Sequence, residues 1–316
     1  MMPGAEDSKH IMEVYRLGIE LIKAIQTVKG PLLLSIMKLI TEMGSEKFYI
    51  PAILFIFYWI DEKRAFRLGV LVIVSAWINL FLKNVLKQPR PFNLEPSLGL
   101  IHESGYGVPS GHAQMSLCFW IPSAAWLAEK RTKRNAFFIW GAALLIILLI
   151  SFSRLYLGVH FPTDILCGFI LGGLTLALWF TLGSRLEKFF AAAGHRVQNI
   201  CAAAAAFLMN GLYGGDRSLP GLFLGFCLGY ALMKKRFPFS AAADINGKKP
   251  GPPAMVLRCL VGFAGIAIIM LPAGFFPITG TVNFIRFLLA GFWGSAGAPF
   301  MFRRLSLAHN APAAGS

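Results

Sequence analysis

Nine long apolar runs divide this 316-residue chain, and short polar loops separate them. A helix that crosses a bilayer needs about 20 predominantly apolar residues, because each backbone polar group must find its partner within the helix. The composition agrees: 56% of the residues are hydrophobic and 14% are charged, against about 25% charged in a soluble domain. We therefore predict an all-α, polytopic membrane helix bundle. The predicted spans are 46–61, 65–86, 111–128, 136–153, 161–182, 196–213, 219–234, 255–272 and 282–302.

The segment before the first span has a different pattern. Leu17, Leu21 and Val28 recur at helical spacing among charged residues, which predicts an amphipathic helix lying in the membrane interface. Gly30 and Pro31 should end it. The predicted organisation is an interfacial segment over 1–45, a core of five to six helices over 46–183, about four additional transmembrane helices over 184–302 with a cytoplasmic linker near 235–254, and a polar tail over 303–316.

The formal charge of +15 arises from 30 Lys and Arg against 15 Asp and Glu. The basic residues cluster in alternate loops, which is the positive-inside pattern of membrane proteins rather than a nucleic-acid-binding surface. This pattern predicts an outside N-terminus and a cytoplasmic C-terminus. It fits a bacterial inner membrane in which the loops between the basic ones face the periplasm, or a eukaryotic membrane in which those loops face the lumen. The basic loops are 61–67, 129–135, the stretch after 182, 234–254 and 303–304.

The first of three polar motifs lies at the end of the second span. Lys83 and Lys87 are four residues apart, so we expect them to share a helix face, and Arg90 follows between two prolines. Basic side chains at a helix end commonly reach toward lipid headgroups. An outside loop is nevertheless an unfavourable place for cations unless they bind an anion.

The second motif is Pro109-Ser110-Gly111-His112, at the start of the third span. Serine is a strong N-cap residue, and the free N–H groups of a helix N-terminus bind anions. Gly111 allows close approach of a ligand to the backbone. An ordinary helix cap with a chance histidine beside it would give the same four residues, so this motif alone does not establish an anion-binding site.

The third motif contains Arg154 at the end of the fourth span, then His160 and Asp164 at the start of the fifth. Pro162 suits the first position of a helix, and a spacing of four places the carboxylate beside the imidazole. A carboxylate on one ring nitrogen fixes the tautomer and directs the other nitrogen outward, as a nucleophile requires. Two unrelated polar residues at a helix start are the alternative.

Together the motifs read K-x6-R-P, P-S-G-H and S-R-x5-H-x3-D. This set resembles the signature of the type 2 phosphatidic acid phosphatase superfamily, with every position met. The resemblance implies that Lys83, Arg90, Ser110, Gly111 and Arg154 hold the phosphoryl oxygens. It further implies that His160 attacks phosphorus, Asp164 orients His160, and His112 protonates the leaving oxygen and then activates water. No metal or cofactor is implied.

Three functions remain open on the sequence. The first is a membrane phosphatase acting on a lipid phosphate monoester or a polyprenyl or lipid pyrophosphate, with membrane lipids as its surroundings. The second is a glucose-6-phosphatase-like hydrolase of a soluble ester, and the third is a lipid or anion transporter using the same site. The sequence leaves the lipid chain, headgroup and oligomeric state open. It also leaves open whether His102 and Glu103, in the loop before the second motif, contact a headgroup or are solvated loop residues.

Overall fold

The computed structural model describes residues 5–28, 30–243, 248, 250–271 and 279–308. Its regular elements, within those residues, are all helical, and a 3-10 turn covers Pro96–Leu98. The α-helices are α1 Ala5–Ile25, α2 Pro31–Glu42, α3 Glu46–Trp59, α4 Glu62–Leu86, α5 Pro91–Leu94, α6 Gly111–Ala128, α7 Lys133–Tyr156, α8 Pro162–Leu212, α9 Ser218–Arg236, α10 Pro252–Met270, α11 Gly280–Phe292 and α12 Ala298–Arg304, with a π-helical turn at Trp293–Gly297 between the last two.

The predicted all-helical class is confirmed. Five of the described helical segments are long and apolar enough to cross a membrane, so the multi-pass character is also supported; nine crossings remain a prediction. One boundary was wrong: the helix that begins at Pro162 runs past 182 to a kink at Gly194 (φ 75°), and a second helical stretch follows it to Leu212, so that α8 comprises two helices. The stretch before Gly194 contains Leu186, Glu187 and Lys188 and ends in three alanines, and these residues have high helix propensity.

By packing, the chain forms two compact units, and the three motifs lie in the first, which comprises Met1–Tyr49 and Ile78–Ala177. Within it, α6 packs along α7, and α2 also packs on α7. Helix α1 buries Ile22 in a cluster with Leu98 and Phe161. Leu17 and Leu21 of the predicted apolar stripe stay exposed. The interfacial location of α1 remains a prediction.

Gln26, just beyond α1, connects the N-terminal segment by hydrogen bonds to the loop after α4 and to the end of α7. Its side chain is 3% exposed, and Nε2 donates to the carbonyls of Leu98 (2.9 Å) and Tyr156 (2.8 Å). A buried amide that satisfies two backbone acceptors is costly to replace, because both carbonyls would lose their donor. The end of α7 and the loop after α4 are therefore held at a fixed separation.

The second unit comprises Ile50–Trp77 and Leu178–Ser316. Glycines let α9 and α11 approach closely: a Cβ added at Gly225 would lie 2.0 Å from the Leu288 carbonyl oxygen. Arg258 of α10 is fully buried. Its guanidinium donates to four backbone carbonyls, those of Tyr58, Ala241, Ala243 and Leu307.

Candidate active site

Lys83 projects from the last turn of α4 toward the loop that leads into the second motif. Its Nζ donates to the carbonyls of Tyr106 (2.6 Å) and Gly107 (2.9 Å). The expected shared face with Lys87 is wrong, because α4 ends at Leu86 and Lys87 has a left-handed backbone (φ 50°). The Lys87 N–H bonds the Lys83 carbonyl (2.9 Å), which is a helix-terminating arrangement, and the Lys87 side chain is exposed.

Arg90 lies at the start of the short helix α5 and is 2% exposed. Its Nε donates to the Gly105 carbonyl (2.9 Å) and Nη1 to the Val159 carbonyl (3.0 Å). Nη2 donates to the Ser104 carbonyl (3.0 Å). Nη1 also lies 3.3 Å from Nε2 of His160. The first motif is thus brought directly onto the third.

His160 is held at both ring nitrogens. Its Nδ1 lies 3.0 Å from Oδ2 of Asp164, and Nε2 faces Arg90. The same Asp164 oxygen accepts the Phe161 N–H (2.9 Å), so the carboxylate is fixed by the first turn of α8, which begins at Pro162 as expected. With Nδ1–H donated to the carboxylate, the lone pair of Nε2 points toward the cations.

Arg154 and His112 form the other half of the site. Nη1 of Arg154 donates to Oγ1 of Thr41 (2.6 Å) and lies 3.4 Å from Nε2 of His112. The Arg154 side chain is 1% exposed, and its Nη2 lies 2.7 Å from Oε1 of Glu103. The other Glu103 oxygen, Oε2, lies 3.3 Å from Nη2 of Arg90. Glu103 therefore spans the two guanidinium groups.

Ser110 stands at the N-cap of α6, but its hydroxyl makes no capping hydrogen bond, contrary to the usual role of serine there. Its Oγ is buried without a hydrogen-bond partner, as are Nε and Nη2 of Arg154 and Oδ1 of Asp164, although Nη2 forms the ion pair with Glu103. Buried polar atoms are usually satisfied, so four such atoms in one site are a signal for a polar ligand. Gly111 lies against Asn79, whose Oδ1 would be 3.2 Å from a Cβ added there.

Backbone contacts lock the three motifs together. The Ser110 N–H donates to the Asp164 carbonyl (2.9 Å). A Cβ added at Gly168 would lie 2.6 Å from the Ser110 carbonyl oxygen. Gly158 (φ 68°) forms the turn between Arg154 and His160, and a Cβ there would lie 1.9 Å from the Leu98 carbonyl oxygen. Only glycine fits at position 158, because any Cβ there would clash with this carbonyl.

The electrostatic surroundings favour a neutral imidazole at His160. Burial lowers the pKa of His160 well below its ordinary 6.5, and the charges of Lys83, Arg90 and Arg154 lower it further. For Glu103, burial raises the pKa, but the positive charges of Arg154 and Arg90 outweigh it and keep the pKa below its ordinary value. Glu103 is therefore a carboxylate at neutral pH.

All eight residues that the sequence singled out lie in the first packing unit, and the contacts link them into one cluster. Two partners of this cluster had no sequence signal, Thr41 and Glu103, because each is recognised only by what folding places beside it. Among the described residues, no group of three or more His, Cys, Asp and Glu side chains could hold a metal ion. The arrangement brings three cations and two imidazoles together, and such a set suits phosphoryl transfer.

Comparison with known proteins gives two sequence-profile matches. The profile of the PAP2 superfamily matches residues 64–188. The profile of the PAP2 superfamily phosphatase transmembrane extension matches residues 218–310, where the additional C-terminal helices were predicted.

Individual relatives match over much of their length. The chain is 31% identical to phosphatidylglycerophosphatase B of Bacillus subtilis (strain 168) over 176 residues, covering 53% of this chain and 83% of that protein. It is 30% identical to undecaprenyl-diphosphatase of Sulfolobus acidocaldarius over 167 residues, covering 49% of this chain and 73% of that protein. It is 24% identical to lipid phosphate phosphatase delta of Arabidopsis thaliana over 275 residues, covering 80% of this chain and 65% of that protein.

Proposed function

This chain belongs to the PAP2 superfamily, and on that premise we propose that it is an integral membrane, metal-independent phosphatase that uses a phosphohistidine intermediate. Its substrate is a lipid phosphate monoester or a polyprenyl or lipid pyrophosphate. The relatives named above are phosphatases of lipid and polyprenyl phosphates, which supports this substrate class over a soluble ester.

One observation carries the proposal. The His160 ring is fixed through Nδ1 by Asp164 (3.0 Å), while Nε2 lies 3.3 Å from a guanidinium nitrogen of Arg90. A phosphoryl group bound by Arg90 would therefore lie close to a nitrogen lone pair of fixed direction. Such a pre-set approach is the main requirement of phosphoryl transfer, because the transition state needs positioning and charge neutralisation more than covalent assistance.

In the first step, Nε2 of His160 attacks phosphorus and the bond from phosphorus to the leaving oxygen breaks. Lys83, Arg90 and Arg154 neutralise the equatorial phosphoryl oxygens, with the Ser110 hydroxyl and the α6 N-terminus as further donors. Positive charge develops on the imidazole as the phosphorus–nitrogen bond forms. Asp164 stabilises that charge through Nδ1–H.

His112 acts as the general acid in the first step and as the general base in the second. It gives a proton to the leaving oxygen, so that the lipid alcohol or lipid phosphate departs in its stable form. It then takes a proton from a water molecule that attacks the phosphohistidine, and His160 is released together with inorganic phosphate. The contact of His112 Nε2 with Arg154 (3.4 Å) supports this assignment, because it places the ring beside the proposed phosphate-binding cations.

The basic loops supply the argument for the membrane side. We place the motif loops on the extracytoplasmic face, because the loops richest in Lys and Arg connect the other ends of the predicted spans. Ser97 lies exposed in the loop that carries Arg90 and Glu103. A cysteine placed there in a cysteine-free background should react with a membrane-impermeant maleimide added to intact cells; reaction only after lysis would reverse the assignment.

The activity itself is tested on the purified full chain in detergent. Phosphate release from phosphatidate, phosphatidylglycerophosphate, undecaprenyl diphosphate and glucose 6-phosphate is measured with EDTA present. We expect turnover of at least one lipid substrate, its loss in His160→Ala, and unchanged turnover in His10→Ala, an exposed histidine on α1. Preferred hydrolysis of glucose 6-phosphate, or full activity of His160→Ala, would refute the proposal.

A further inference from the structure

Glu103 is an acidic residue in a cluster whose other charged groups are mainly cations. Its two oxygens bind different arginines, Oε1 with Arg154 at 2.7 Å and Oε2 with Arg90 at 3.3 Å. Two oxygens of one phosphoryl group would span these guanidinium groups in the same way, because carboxylates and phosphates make the same charge-assisted hydrogen bonds with arginine.

We infer that the Glu103 carboxylate occupies the position that a phosphoryl group takes between Arg90 and Arg154, so that phosphate binds by displacing it. This inference rests on the proposed function for its ligand, and it makes Glu103 a specificity-determining residue. Only an anion that competes successfully with the Glu103 carboxylate for both Arg90 and Arg154 can bind. The same carboxylate, on its return, helps to expel the inorganic phosphate formed in the second step.

All five donors of Arg90 are engaged before a phosphoryl group binds. A guanidinium has five N–H groups, and Arg90 makes five contacts: with the carbonyls of Gly105, Val159 and Ser104, with Nε2 of His160, and with Glu103. A phosphoryl oxygen can bind Arg90 only if a contact is given up. The two longest contacts, both 3.3 Å, are those with His160 and Glu103. The attack of Nε2 on phosphorus ends the first, and departure of Glu103, the more exposed partner, ends the second.

The exposure of the three side chains indicates the direction of release. The side chains of Arg90 and Arg154 are 3% and 1% exposed, whereas that of Glu103 is 28% exposed. The carboxylate therefore covers the arginines from the solvent side. If it stayed in place, it would repel an incoming phosphate at close range in a site of low dielectric.

The loop that carries Glu103 is anchored on both sides. The Leu100 N–H donates to the Leu157 carbonyl (3.1 Å), and the Gly107 N–H donates to the Gln88 carbonyl (2.9 Å). Between these anchors Arg90 donates to the carbonyls of Ser104 and Gly105, and Lys83 donates to that of Tyr106. Because the backbone is held, displacement of the carboxylate is a rotation of the Glu103 side chain.

The test measures binding of inorganic phosphate to the full chain by calorimetry, which needs no turnover. Replacing the carboxylate by an amide in Glu103→Gln removes the competing charge, so phosphate should bind about tenfold tighter or more. The control is Glu95→Gln, which removes an exposed carboxylate paired with Lys23 (3.1 Å) and should leave phosphate affinity unchanged. Turnover of the Glu103→Gln variant should show a lower KM and stronger inhibition by phosphate, without a rise in kcat.

Equal or weaker phosphate binding by Glu103→Gln overturns the inference, because Glu103 would then be a residue that positions the arginines for the ligand. If that variant fails to fold, Glu103→Asp carries the test: its shorter side chain should reach one arginine at most and tighten phosphate binding, and no tightening overturns the inference. The two claims remain separable. Lipid hydrolysis without a Glu103 effect refutes this inference alone, and a Glu103 effect without lipid hydrolysis refutes the proposed substrate class alone.

Discussion

Asp164→Asn is the most informative single change in the proposed mechanism, because it removes one charge and little volume. The wild-type carboxylate oxygen Oδ2 lies 3.0 Å from His160 Nδ1 and accepts the Phe161 N–H at 2.9 Å. The asparagine oxygen can still accept these hydrogen bonds. The variant therefore isolates the charge that stabilises the developing imidazolium, rather than the position of the ring.

The size of the effect follows from these contacts. A hydrogen bond to a charged group contributes about 1.5–3 kcal/mol and a neutral one about 0.5–1.5 kcal/mol, so the retained but neutral contact should cost about 1–1.5 kcal/mol. Because about 1.4 kcal/mol is a factor of ten, kcat should fall roughly 5- to 12-fold. The loss should fall on kcat rather than KM, because the charge on the imidazole develops only in the transition state. Initial rates of phosphate release from a short-chain lipid phosphate across a full substrate range give both constants.

Asp61→Asn is a matched control. Asp61 also accepts a backbone N–H at a helix start, in its case from Arg64, three residues later in the chain, at 2.8 Å, but it lies in the other packing unit. We expect this variant to retain wild-type kcat. A decrease in kcat of less than about threefold for Asp164→Asn would refute the role assigned to the carboxylate. An increase in KM alone would do the same.

Three further predictions concern the turn, the C-terminal unit and pH. Gly158→Ala places a Cβ 1.9 Å from the Leu98 carbonyl oxygen on a left-handed backbone, so we expect a lower midpoint of thermal unfolding and at least about a hundredfold loss of kcat/KM; wild-type values for both would contradict the geometry. Arg258→Met leaves four carbonyls without their donor and should reduce the free energy of unfolding by about 3 kcal/mol or more, whereas the exposed Arg236→Met should be neutral in the same denaturation experiment. Because the pKa of His160 is lowered from 6.5, its acid limb in a pH profile of kcat/KM should lie below pH 6.5. The unfolded chain takes up that proton first, so stability should also fall as pH drops below about 6.5; an acid limb above pH 6.5 would show that His160 is not the neutral nucleophile.

Local chemistry made several helix boundaries and the motif positions predictable. Gly30 and Pro31 separate α1 from α2, and Pro162 begins α8, because glycine and proline restrict the backbone wherever they occur. The spacing of His160 and Asp164 likewise translates directly into a contact of 3.0 Å. These features depend on neighbours within a few residues in the chain.

Contacts between distant segments were not predictable in the same way. Thr41 binds Arg154 across 113 residues of sequence, and Glu103 acquires its importance only from the two arginines that folding places around it. Lys87 matches the helical spacing of Lys83, yet a left-handed turn removes it from that face. Single residues of this kind carry no periodicity or composition signal, so the sequence left Glu103 and Thr41 without a role.

The central claim is that the His160 imidazole takes the phosphoryl group, and a trapped intermediate tests it most directly. The chain is mixed with a lipid phosphate and quenched in alkali, which preserves phosphohistidine, and its peptides are read by mass spectrometry. We predict a phosphoryl group on His160 that is absent from His160→Ala. Steady turnover with the phosphoryl group on another residue, or with no phosphorylated residue in the quenched chain, would contradict the account.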